Sequence, residues 1–154
     1  MRSLIFIFTV VLAFAASVPG SAITFENIQN GVDLYNSGVE NAPGVVKTLV
    51  GDERVQIEIS RADGTVLAVG LEAKNALIVN VIEGEIEDPT IVVVAREGAI
   101  ERVYGSDDPV AAFQQARNQG EISIVGTTWS AKLKVTAALA STAALRFFAS
   151  LIGK

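Results

Sequence analysis

The spacing of apolar positions changes several times along this chain, and each change marks an element. Phe25, Ile28, Val32, Tyr35 and Val39 recur at three- and four-residue steps, which predicts a helix with one buried stripe. Pro43-Gly44 ends it, and Val45, Val46, Leu49 and Val50 suggest a second short helix before Gly51-Asp52. The period then drops to two. Val55, Ile57 and Ile59 alternate with Gln56 and Glu58, and Ala62-Asp63-Gly64 turns the chain into Leu67, Val69 and Leu71. After Lys74-Asn75, Leu77, Val79 and Val81 share a face. Beyond the acidic stretch Glu83–Asp88 and Pro89, the run Ile91–Ala95 is apolar on both faces and reads as an interior strand covered on both sides. Four strands with short links suggest an antiparallel meander. One helix follows within residues 105–120, opened by Asp108-Pro109 and closed by Gly120. Ile122 and Ile124 make a fifth strand ending at Gly126. Trp129 to Ile152 is alanine-rich, without proline or glycine, and reads as one final helix.

The other end of the chain has a different pattern. Met1–Ser3 is a short basic start, Leu4–Ala16 runs thirteen residues without a charge, and Ser17-Val18-Pro19-Gly20-Ser21-Ala22 combines helix breakers with small residues. A basic head, an apolar run and a small-residue exit make a secretory signal peptide. The natural cut follows Ala22, with a second option after Ala15. Thirteen helical residues at about 1.5 Å each fall short of a bilayer core of roughly 30 Å, which disfavours a spanning anchor. The division is therefore 1–22 signal peptide and 23–154 a single α+β domain ending in an apolar, basic helix (129–152). That makes the mature protein secreted or extracytoplasmic.

Charge sharpens the picture at the C-terminal end. Residues 23–128 carry seven bases and all 17 acids, whereas 129–154 carry four bases (Lys132, Lys134, Arg146, Lys154) and no acid. An acidic body repels phosphate backbones, so nucleic acid is not an expected partner. A basic apolar tail reads either as a helix docked on that body or as a contact with a membrane surface through Trp129–Lys154. Val135–Ile152 holds Arg146 as its only charge, and an arginine inside a spanning helix costs about 2.5–3.5 kcal/mol. Its apolar positions lie all round the cylinder, which implies burial on more than one side.

Catalytic chemistry is sparse. The chain has no histidine and no cysteine, which excludes thiol nucleophiles, histidine bases, disulfides and zinc fingers. Ser130 and Lys132 are two apart on a helix and point away from one another. Asp52-Glu53, Glu83 to Asp88 and Asp107-Asp108 lack the spacing of an EF-hand loop and read as turns and caps. No glycine-rich nucleotide motif occurs. We expect no enzyme, no cofactor and no metal.

The order helix, meandering strands, helix, glycine-bounded strand and final apolar helix resembles the sterol carrier protein type-two family. The strands Val55–Ser60, Val66–Glu72 and Leu77–Ile82 carry the resemblance, with Asp88-Pro89-Thr90-Ile91-Val92-Val93 and Asp107–Gly126, so it spans about residues 25–152. It implies an α+β fold: a five-stranded, mainly antiparallel twisted sheet with helices packed on one face, around an apolar tunnel for a fatty-acyl or sterol-like lipid. By sheet parity and helix face, the lining would be Leu67, Val69, Leu71, Ile91, Val93, Phe113, Leu133, Ala137 and Ala140. The function that follows is an exported, non-catalytic carrier of a lipid or other apolar ligand. The alternative is an envelope-associated structural or interaction protein that uses its C-terminal helix as a membrane or partner contact.

Overall fold

A computed structural model describes residues 22–151. The expected signal segment up to residue 21 and the final residues 152–154 lie outside the described residues. The chain opens with α1 (Phe25–Gly38), a single 3-10 turn (Val39–Asn41) and α2 (Gly44–Val50). It continues through β1 (Arg54–Ser60), β2 (Val66–Lys74), β3 (Leu77–Glu83) and β4 (Ile91–Arg96). Helices α3 (Glu97–Gly105) and α4 (Pro109–Asn118), strand β5 (Ile122–Gly126), α5 (Trp129–Leu139) and α6 (Thr142–Leu151) complete it.

Local chemistry starts most helices. Thr24 caps α1 in a reciprocal capping box with Asn27, and its buried stripe is Ile28, Gly31, Val32 and Tyr35. Asp108 caps α4, with Pro109 at the position where a missing N–H costs nothing. Thr128 caps α5 through the Ala131 N–H. The expected single helix over 129–152 is corrected to two, because Ser141 Oγ accepts from the Ala144 N–H and starts a new helix there. The span 97–105, which carries no sequence-predicted element, is helix α3. Two helices therefore precede the glycine-bounded strand instead of one.

The five strands form one sheet in the order β3-β2-β1-β4-β5, with three antiparallel pairings and a parallel one between β1 and β4. That is not a meander. The connection from β3 to β4 crosses the sheet as a strap over β2 and β1. Ile86 of the strap lies directly on Gly70, where a Cβ would sit 2.7 Å from the Ile86 Cβ. Gln56 secures it: its Oε1 accepts from the Ile86 N–H at 2.7 Å, and its Nε2 donates to the Gly84 carbonyl at 3.2 Å. Thr90 then ties the strap to β1, its N–H donating to the Arg54 carbonyl at 2.8 Å.

The opposite face carries the core. Val55, Ile57, Ile59, Leu67, Val69, Leu71, Ile91, Val93 and Ala95 join buried residues of all six helices in one apolar cluster. Strand β4 is interior, as expected, but it is covered on one side only, since Val94 is 41% exposed on the strap side. A shift in register between Glu72 and Ala73 changes the parity of β3. Ile78 is therefore buried opposite Ala73, while Leu77 and Val79 face outward and only Val81 keeps the inward side.

Candidate functional site

Six of the nine sequence-chosen residues come together. Leu67, Val69 and Leu71 of β2, Ile91 and Val93 of β4, and Phe113 of α4 are buried in the layer between sheet and helices. The other three do not join them. Leu133 is 56% exposed, and Ala137 and Ala140 are also exposed, so the inward face of α5 is corrected to Ala131, Val135 and Ala138. The physical reason is where α5 seats: its backbone at Ala131 and Lys132 lies against Gly126 of β5, which turns Ala131, Val135 and Ala138 inward and leaves Leu133 and Ala137 outside. The helix side of the layer mixes large side chains such as Ile28, Tyr35, Ile100 and Phe113 with small ones, Ala116, Ala131, Ala138, Ala144 and Ala149.

This layer reaches the surface beside the β2–β3 turn. An open cleft of about 570 Å³ lies there, with Val39, Ala76 and Leu77 among its walls. Val39 and Ala76 belong to the apolar cluster as well, so the cleft floor is the edge of the core. Its rim is polar, with Asn36, Glu40, Lys47, Asp52 and Asn75 around the opening. The lining sets an apolar floor beside a mixed-charge rim.

Several bonds hold the cleft in shape. The Tyr35 hydroxyl donates to the Ala76 carbonyl at 2.7 Å, and burial pushes its phenol well above the usual range, so it stays a donor. Asn36 grips β3 twice: its Nδ2 donates to the Ile78 carbonyl and its Oδ1 accepts from the Ile78 N–H, both at 3.0 Å. Asp52 Oδ1 accepts from the Asn75 N–H at 2.9 Å, fixing a turn in which Asn75 and Ala76 both have positive φ. Two consecutive left-handed residues make the tight turn that suits twisted antiparallel strands. Lys47 Nζ donates to the Glu40 carbonyl at 2.8 Å across the rim.

Sequence reasoning missed this cleft, because its residues come from three segments and no periodicity unites them. Tyr35 and Asn75 were visible only as a helix-stripe member and a turn residue. The carboxylates also separate into different jobs. Asp108 caps α4, Asp52 holds the β2–β3 turn, and Glu53 is buried with Oε1 2.8 Å from Lys134 Nζ of α5. Thr90 donates its hydroxyl toward Glu53 Oε2 at 2.7 Å, which links α5 to the start of β4.

Together these features define an α+β protein with a mixed, mostly antiparallel five-stranded sheet, helices on one face and an apolar layer opening at one end. No family model and no curated protein matches the chain. Solved structures of sterol carrier proteins do, and that is the family the sequence resembles. The sterol carrier protein domain 2 of Helicoverpa armigera is similar at 18% identity and a TM-score of 0.49, over 75% of this chain and 86% of that one. Sterol carrier protein 2 like 2 from Aedes aegypti is similar at 19% identity and a TM-score of 0.45, over 91% of this chain and 95% of that one. The palmitated form of an Aedes aegypti protein of the same name aligns at 20% identity and a TM-score of 0.44, over 75% of this chain and 89% of that one.

Proposed function

We propose that this chain is an exported, non-catalytic carrier of a lipid-like amphiphile, a fatty-acyl or sterol-like molecule being the expected class. The observation that carries the reading is the cleft of about 570 Å³ whose apolar floor is the open edge of the core and whose rim is polar. Such a site takes the apolar body of a ligand against Val39, Ala76 and Leu77 and leaves its head among Asn36, Lys47 and Asp52. A volume of this size lies within the range of small-molecule sites. Export is supported by the composition of residues 1–22, and absence of catalysis by a sequence without histidine or cysteine.

The test is native mass spectrometry of the secreted protein purified without detergent, followed by solvent extraction. One acyl lipid or sterol-like molecule per chain is the expected result. An empty chain that also takes up no fluorescent fatty acid would end the carrier reading. Leu77→Glu, at the exposed cleft wall, is expected to weaken uptake about tenfold by placing a charge against the apolar body.

A second reading has its own observation. Trp129 is 77% exposed and Leu133 is 56% exposed one turn further along α5, with Ala137 next on the same side and Lys132 beside them. An aromatic, a leucine and a lysine on one helical face suit the surface of an anionic bilayer. Among the described residues no helix is long and apolar enough to cross a membrane, so the contact would be interfacial. Flotation with vesicles containing phosphatidylglycerol tests it: Trp129→Ser with Leu133→Ser is expected to abolish co-flotation, and equal flotation of the double variant would refute it.

A further inference from the structure

Ile23 is held at three points. Its side chain is 3% exposed, its carbonyl accepts from Arg61 Nε at 3.0 Å, and its nitrogen donates to Glu97 Oε1 at 2.7 Å. The second oxygen of Glu97 accepts from the Ala62 N–H at 2.9 Å, and the residue is only 5% exposed. Ala22, immediately before, is exposed. A carboxylate taken out of water is costly unless a positive charge or several donors meet it. Here both donors to Glu97 are neutral amides while the chain is uncut, and one of them is the nitrogen of the residue after the natural leader cut.

We propose that Glu97 is the binding site for the α-ammonium of Ile23, created when the leader is removed between Ala22 and Ile23. Water adds across the Ala22–Ile23 amide under a leader peptidase. Its hydroxyl goes to the Ala22 carbonyl carbon, and its proton goes to the Ile23 nitrogen as the C–N bond breaks. That nitrogen takes a further proton from solvent below an ordinary amino-terminal pKa of about 7.7–8.0. The amide contact thereby becomes an ammonium–carboxylate pair at a position the fold already provides, which is the stronger kind of hydrogen bond. Removing the leader thus adds a charge pair at the junction of α1, the β1–β2 turn and α3. The inference rests on the export reading above, because an uncut chain has no ammonium at residue 23.

The experiment secretes the full chain and reads the product's first residue by intact mass and terminal sequencing. The α-amine is then acylated under native conditions and in concentrated urea, with the lysines as internal standards. The expected product begins at Ile23, and its folded α-amine reacts about tenfold or more slowly than in urea, since local opening must precede attack. Glu97→Gln is expected to remove most of that protection. If the variant fails to fold, the native-to-urea ratio of the unaltered protein remains decisive. A product that begins at Ile23 but whose amine reacts equally fast in both states overturns the inference and leaves export standing. A product that begins at Ala16 also overturns the inference alone, whereas an uncut chain overturns both.

Discussion

Gly126→Ala perturbs the point where the last part of the chain seats on the sheet. Gly126 ends β5 on the helix-facing side, paired with Ile91. A Cβ there would lie 2.4 Å from the Lys132 nitrogen, 2.5 Å from the Ala131 carbonyl carbon and 2.8 Å from the Lys132 Cα. Non-bonded heavy atoms settle near 3.5–4.0 Å, so α5 has to withdraw by about 1 Å. All three obstructing atoms are backbone, and no rotamer change can relieve the clash. Withdrawal loosens Ala131, Val135 and Ala138 from the core and stretches the 2.8 Å contact between Lys134 and Glu53. Overpacking of a tight core costs about 1–3 kcal/mol, and this case belongs at the upper end, about 3 kcal/mol. With a urea slope of about 2 kcal/mol per molar, the unfolding midpoint falls by about 1.5 M. The assay is equilibrium urea unfolding followed by far-ultraviolet circular dichroism, with the near-ultraviolet absorbance change of buried Tyr35 as the second probe. Two companions calibrate it. Gly70→Ala meets the Ile86 side chain of the strap and should cost about 1 kcal/mol, because a loop can move aside. Gly44→Ala has no neighbour within 4 Å and should stay within about 0.5 kcal/mol of the unaltered protein. If Gly126→Ala unfolds at the same urea concentration as Gly44→Ala, α5 does not seat on β5 as described.

Three further expectations can be measured directly. Lys134→Met leaves the buried Glu53 carboxylate without its cation and should cost about 2 kcal/mol, while a double-mutant cycle with Glu53→Gln should show a coupling above about 1 kcal/mol; a coupling near zero would remove the bond from the account. Tyr35→Phe leaves the Ala76 carbonyl without its buried donor and should lower stability by about 1–3 kcal/mol in thermal unfolding, with weaker ligand uptake at the cleft. Hydrogen bonds from the Thr65 hydroxyl and then its N–H hold the Asp63 carboxyl below its ordinary value of 3.8. The contribution to the β1–β2 turn is thus full above the unfolded value and lost as pH falls through the lowered one. A carboxyl-carbon NMR titration giving Asp63 an ordinary or raised value would contradict this.

The elements with local signals were legible in the residues. The stripe of α1, the alternation in β1 and β2, and the Asp108-Pro109 start of α4 all depend on neighbours within a few positions. Two helices escaped for opposite reasons. Helix α3 buries only Glu97, Ala99, Ile100 and Val103, too short a stripe to stand out. The pair α5 and α6 hid inside one alanine-rich run, although Ser141 was available as a cap. Part of the apolar layer was legible too, because strand parity correctly grouped Leu67, Val69, Leu71, Ile91 and Val93 on one face. Helix-face assignment failed for Leu133, Ala137 and Ala140, since a helix apolar on most sides carries no marker of which side is inward.

By itself the sequence determined composition-level facts and short-range order: an acidic body with a basic apolar tail, a leader-like start, chemistry without thiols or imidazoles, and the main strands. These follow from the residue types and their spacing alone. Tertiary structure decided the rest. Gln56 occupies a solvent-type position in the alternation of β1, yet it is buried because the strap from β3 to β4 crosses over it. The same crossing sets β4 parallel to β1, leaves Val94 outside its cover and makes Gly70 necessary. The cleft likewise exists only where Asn36, Lys47, Asp52 and Ala76 converge from separate segments. Such features depend on which distant segment lies on top of which, and periodicity carries no information about that.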